Sequence, residues 1–166
     1  MMLAEYRKHV EERKLQNIPP KPLNADLTSG LVKLLRNPPD GEEEYLLDLI
    51  SNRVPPGVDE AAYVKADWLS AVAEGRRSSP LVSPLEATRL LATMIGGYNV
   101  AALIRLLSNT DNSLAAAAAE GLSRTLLVYD AYNDVLELAA GNSYAKQVID
   151  SWAAAEWFTA KPELPA

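Results

Sequence analysis

Apolar positions along this chain recur at helical spacing, and proline and glycine interrupt them at nearly regular intervals. Leu27, Leu31, Leu34 and Leu35 fall on one face of a helix predicted over Asp26–Arg36. Leu46, Leu47, Leu49 and Ile50 do the same for the next helix. Asp40 is expected to cap it, with Glu42, Glu43 and Glu44 at its positive end. From Asp59, a second predicted cap, Val64, Trp68 and Val72 form one row and Ala62, Ala66, Leu69 and Ala73 another. A helix apolar on two sides lies between two neighbours, and Gly75 is expected to end it.

Ser83–Pro84–Leu85–Glu86 combines a serine cap, proline at the first helical position and glutamate three after the cap. Leu90, Leu91, Met94 and Ile95 should follow on the buried side. Gly96–Gly97 is read as a stop, and Asn99 as the cap of a helix reaching about Leu107. Between Asn112 and Leu127 the series Leu114, Ala118, Leu122, Leu126 has a strict spacing of four, and the alanines from Ala115 to Ala119 permit close approach of a neighbour. Asp130 and Asn142 are expected to cap two last helices. In the final one Tyr144, Ala145, Val148, Ile149 and Trp152 point inward. At the other end, Leu3–Gln16 is charged throughout and predicts a surface helix.

The breaks fall at Pro19–Pro20–Lys21–Pro22, Pro38–Pro39–Asp40–Gly41, Pro55–Pro56–Gly57, Pro80 and Pro84. Proline inside a helix costs roughly 3 kcal/mol, so these positions belong between helices or in their first turns. Alternating β-branched stretches are missing from the sequence, and the one Asp-Gly pair opens a glutamate-rich helix rather than a hairpin. The fold class is therefore all-α, with about eight to nine helices. Breaks about every 17 to 20 residues give helix pairs of the length of HEAT-type repeats, about 40 to 47 residues. The expectation is a HEAT-like α-solenoid of stacked antiparallel helix pairs over residues 1–160, followed by a frayed tail or linker at 161–166.

Composition narrows the function classes. The 166 residues are 48% hydrophobic and 23% charged, which suits one globular domain. The net charge of −6, with basic residues interleaved among acids as in Glu11–Glu12–Arg13–Lys14, gives no basic face for nucleic acid, so RNA binding by this domain alone is not expected. There is no cysteine, hence no disulfide, zinc thiolate site or cysteine-ligated iron–sulfur cluster within the chain. No apolar run approaches the roughly 20 residues that span a bilayer, and the N-terminus lacks the apolar core of a signal peptide, so a cytoplasmic location and no membrane partner are expected.

Candidate chemistry is sparse. His9, the single histidine, lies between Glu5 and Glu12 and reads as a surface residue paired with a carboxylate. Glu42–Glu43–Glu44 has no partner cluster at ligand spacing and reads as helix N-terminal charge. Gly96–Gly97–Tyr98–Asn99 lacks the Lys-Ser/Thr of a P-loop and the third glycine of a dinucleotide fingerprint, and reads as a helix stop followed by a helix cap. Trp152, Trp157 and Phe158 read as core or interface packing, and Arg76–Arg77–Ser78–Ser79–Pro80 as a solvated basic loop. No catalytic, cofactor-binding or metal-binding residue is assigned.

Several long strings are compositionally unusual. Gly41–Glu42–Glu43–Glu44–Tyr45–Leu46–Leu47–Asp48–Leu49–Ile50 and Asn52–Arg53–Val54–Pro55–Pro56–Gly57–Val58–Asp59–Glu60–Ala61–Ala62–Tyr63 closely resemble the N-terminus of bacterial aconitase B. So do Glu5–Tyr6–Arg7–Lys8–His9–Val10, Pro20–Lys21–Pro22–Leu23, Gly96–Gly97–Tyr98–Asn99, Tyr144–Ala145–Lys146–Gln147–Val148 and Ala155–Glu156–Trp157–Phe158. The resemblance implies a HEAT-like N-terminal domain preceding catalytic domains that bind a [4Fe–4S] cluster and interconvert citrate and isocitrate through cis-aconitate. Within that family the domain packs on the catalytic core and takes part in dimerisation and protein–protein contacts. The resemblance carries no catalytic residue onto any position here. Two readings follow: a non-catalytic scaffold domain of such an enzyme, or a stand-alone helical adaptor derived from it.

Overall fold

The computed structural model describes residues 2–125 and 131–155. Nine α-helices and no strand occur among them: α1 Met2–Leu15, α2 Ala25–Arg36, α3 Glu43–Asp48, α4 Glu60–Ala73, α5 Pro84–Ala92, α6 Val100–Leu106, α7 Asn112–Ser123, α8 Tyr132–Ala139 and α9 Ser143–Ala153. Helices α2, α4, α5, α7 and α9 form a row in which each packs on the next. Helices α1 and α3 lie against α2, α6 against α5 and α7, and α8 against α9. The all-α, solenoid-like expectation is met. The predicted cap at Asp130, the residues Leu126 and Leu127, the aromatics Trp157 and Phe158, and the tail 161–166 lie outside the described residues.

Helix α4 occupies the centre of the row for the reason its pattern gives. Ala62, Ala66, Trp68, Leu69, Val72 and Ala73 are all buried, because α2 covers one side and α5 the other. Small residues set how closely the row can pack. A Cβ on Gly121 of α7 would lie 2.6 Å from the Cβ of Ala92 in α5, so these helices meet where neither carries bulk. Leu31 and Leu35 of α2 are buried, with Leu27 and Leu34 half-covered. Charged α1 buries only Tyr6 fully.

Four predicted helix ends take the expected form. The Asp59 carboxylate accepts from the backbone of Ala61 and Ala62. Ser83 and Glu86 form a reciprocal capping box, with Oγ accepting from Glu86 and the Glu86 carboxylate accepting from the Ser83 backbone. Asn142 accepts from Ala145 and also donates to the Leu107 carbonyl. Gly75, with φ +72°, follows the C-cap of α4.

Three expectations are corrected. Asp40 does not cap α3. It occupies the turn that the Glu42 N–H closes onto the Pro39 carbonyl, where Gly41 takes φ +79°. Asn99 occupies the N-cap position of α6, but its side chain makes no cap bond there. It is buried, and its amide donates backward to the carbonyls of Leu91 and Met94, closing the end of α5. Ile95 is not on the buried side. Helix α5 stops at Ala92, four residues before Gly96, so Ile95 leaves the helical period and is 72% exposed. The sequence pattern also gave no sign that α3 continues as a π-helical turn over Leu49–Arg53.

Candidate interaction surface

The two glycine-containing breaks at 55–57 and 96–97 are joined in space. The Ile95 N–H donates to the Pro56 carbonyl at 2.9 Å, and the Tyr98 hydroxyl donates to the Val58 carbonyl at 2.9 Å. Between these bonds the Gly96 backbone lies directly against Gly57. A Cβ at Gly96 would stand 1.9 Å from the Gly57 oxygen, and no side chain fits there. Gly97 then turns the chain with φ +91°. Buried Asn99 anchors the far side of the loop to α5. Gly96–Asn99, read from the sequence as two helix ends in succession, is in fact the seam between the α3–α4 break and the α5–α6 loop.

This seam brings four large apolar side chains to one area of the surface. Val58 is 74% exposed, Tyr63 59%, Ile95 72% and Tyr98 41%. Tyr63 and Tyr98 meet edge to face with ring centroids 5.4 Å apart. Beside the tyrosines a shallow cavity of about 170 Å³ is lined by Asp67, Ser70, Arg76, Ala101, Ala102 and Arg105. At its rim the Glu74 carboxylate holds both arginines, with one oxygen 2.7 Å from Arg76 and the other 2.7 Å from Arg105. Partial burial opposes ionisation of Glu74, and the hydrogen bonds from Arg76 and Arg105 outweigh it, so its carboxyl titrates below the usual range. The loop expected to be solvated therefore contributes Arg76 to a structural ion-pair triad, while Ser79 donates to the Leu35 carbonyl.

The other candidate groups serve the scaffold. His9 is not paired with a carboxylate. Its Nε2 accepts the Lys21 N–H at 2.9 Å, so it pins the Pro20–Pro22 segment to α1. In the same seam the Tyr6 hydroxyl donates to the Lys21 carbonyl, and Arg53 donates to Tyr6 and to the Pro20 carbonyl. Glu42, at the N-terminus of α3, takes a bidentate contact from Arg7, and that hydrogen bonding lowers its titration. The Trp152 indole donates to the Leu122 carbonyl in the core. Lys65, which the sequence reading did not single out, is 1% exposed in α4, and burial lowers its ammonium pKa to about 8.

Comparison with known proteins decides the kinship. The model of the family described as the aconitate B N-terminal domain matches residues 5–158. This chain belongs to that family. The family's relatives include aconitate hydratase B of Pseudomonas aeruginosa, 61% identical over 99% of this chain, and that of Escherichia coli, 60% identical over 98%. The Helicobacter pylori protein of the same name is 43% identical over 98%. In each case the chain spans 19% of the relative, about a fifth of its length. The resemblance seen in the sequence implies an iron–sulfur cluster in the catalytic domains of such enzymes. The residues present do not fit one: the chain has no cysteine, and among the described residues no group of three or more His, Asp or Glu is placed to hold a metal ion. No helix among the described residues is long and apolar enough to cross a membrane.

Proposed function

We propose that this chain is the non-catalytic N-terminal scaffold and interaction domain of an aconitate hydratase B, working in the cytoplasm. In the full-length enzyme, a lyase of the tricarboxylic acid cycle, the remaining domains carry a [4Fe–4S] cluster and interconvert citrate and isocitrate through cis-aconitate. The observation that carries this reading is the near end-to-end match of the chain to a fifth of proteins with that name. The groups that could have served chemistry support it, because His9, Glu42, Glu74, Arg53 and Asn99 are each spent on fixing one helix or loop to another. The partners of such a domain are the catalytic domains of the same polypeptide. Purified residues 1–166 should not hydrate cis-aconitate, while the protein encoded by the whole reading frame should do so once its cluster is assembled. Hydration by the isolated chain would overturn the reading.

A further inference from the structure

Among the described residues, four polar bonds fasten the run Pro19–Pro22, which leads from α1 to α2. Its carbonyls accept from three donors: Arg13 on Pro19, Arg53 on Pro20 and the Tyr6 hydroxyl on Lys21. Pro19, Pro20 and Pro22 have no N–H, so Lys21 supplies the only backbone donor of the run. That donor goes to Nε2 of His9 at 2.9 Å. Arginine and tyrosine side chains keep their protons near neutral pH, so the three carbonyl bonds do not respond to acid there. Histidine is the side chain whose charge changes in that range. Nε2 accepts only while it carries no proton, so the fourth bond exists only with the neutral ring.

The surroundings offer the protonated ring another partner. His9 is half-buried at the wall of a cavity of about 250 Å³ that Glu5, Tyr6, Lys21, Pro22, Asn24 and Leu27 also line. Of these neighbours only Glu5 and Lys21 bear charge near neutral pH. The Tyr6 ring lies beside the imidazole with centroids 5.9 Å apart, and Asn24 is occupied in capping α2. Glu12, three residues further along α1, pairs with Lys8, while Arg13 and Arg53 are committed to the carbonyls of the run. A protonated His9 thus meets a donor and a cation at Lys21, and a carboxylate at Glu5, one turn back on its own helix. Glutamate four residues before a cation is the favourable order for such a pair. The rest of α1 is lightly held. Tyr6 is its one fully buried residue, Met2, Leu3 and Val10 are partly covered, and Arg7 reaches Glu42.

We propose that His9 is a proton-operated latch: the neutral ring pins the Pro19–Pro22 run to α1, and protonation turns the ring to Glu5 and frees the run. The bond belongs to the neutral form, so it is present at higher pH and lost as pH falls through the titration of the ring. Helix α1 gains the Glu5 pair in exchange, so acid loosens the connection from α1 to α2 without unwinding α1. The test is hydrogen exchange of the full-length protein, read by mass spectrometry at single-residue resolution and corrected for the intrinsic pH dependence of exchange. In the wild type, protection of the Lys21 amide should fall about fivefold between about pH 8 and about pH 5.5, the loss of one hydrogen bond. The amides of α4 and α7 should keep theirs. His9→Gln offers an uncharged amide oxygen near the place of Nε2 and should hold the Lys21 protection within about twofold over the same range. Glu5→Gln should leave protection at the upper pH unchanged and move the midpoint of the fall to lower pH, because the imidazolium loses its partner. That arm does not require His9→Gln to fold. Constant protection in the wild type, an equal fall in His9→Gln, or an unmoved midpoint in Glu5→Gln overturns the proposal.

Discussion

Lys65 shows how one residue can oppose the fold that contains it. It sits on the most buried helix, and burial alone accounts for the lowered pKa of its ammonium. A lysine whose folded pKa is about 8, below its unfolded value of 10.5, binds its proton more readily when unfolded. Its cost to stability is therefore full below about pH 8 and fades as pH rises toward 10.5. Lys65→Met keeps the volume and removes the charge, and should stabilise the domain by about 1–3 kcal/mol at pH 7. Urea unfolding of the wild type should show stability rising between pH 7.5 and 9.5, and the variant should lose most of that slope. An equal slope in both proteins would mean that other groups titrate there. Gly96 is the opposite case, a residue the fold demands. Gly96→Ala places a methyl 1.9 Å from the Gly57 oxygen, so the seam must open. The expected loss is about 2–4 kcal/mol by thermal or urea unfolding, whereas Gly57→Ala, whose Cβ meets nothing within 4 Å, should cost far less. Comparable losses in the two variants would argue against the backbone contact.

At the scale of elements, helix starts were legible where a side chain acts on its own backbone. Asp59, Ser83 and Asn142 all cap the helices predicted for them, because the bond spans two or three residues and needs no tertiary partner. Ser83→Ala removes one side of the capping box and should lower stability by about 1 kcal/mol, and Ser83→Asp should restore most of it. Thermal unfolding of the three proteins decides this, and an unchanged midpoint in Ser83→Ala would show that α5 is held by packing alone. Asp40 and Asn99 have the same residue types in similar local settings, yet neither side chain caps the helix after it. Asp40 lies in a tight turn, and Glu42 beyond it is occupied by Arg7 from α1. Asn99 is drawn to the carbonyls of Leu91, in the last turn of α5, and of Met94 just beyond it, in a loop that bonds to Pro56 and Val58, some 40 residues back in the chain. His9 departs from the sequence reading for the same reason: its partner is the Lys21 backbone rather than the carboxylates next to it.

At the scale of the whole molecule, the order of packing follows from which helices are apolar on two sides. Helix α4, with two buried rows, must have two neighbours, and α2 and α5 are the ones it has. Helix α7 meets α5 through Gly121 and α9 through the side holding the Trp152 bond. The sequence by itself determined the helical class, the positions of most breaks, the two-sided burial of α4 and the kinship, because each depends on local period, proline geometry or an unusual string of residues. The tertiary structure alone decided that Pro56–Val58 and Ile95–Tyr98 close on one another, and that Ile95 is turned outward. It also decided that His9 binds the Lys21 backbone, that Asn99 turns back to the end of α5, and that Arg105 reaches Glu74 from 31 residues away. Those outcomes depend on which backbone and side-chain polar groups come within reach after the helices have packed, and spacing along the chain does not encode that.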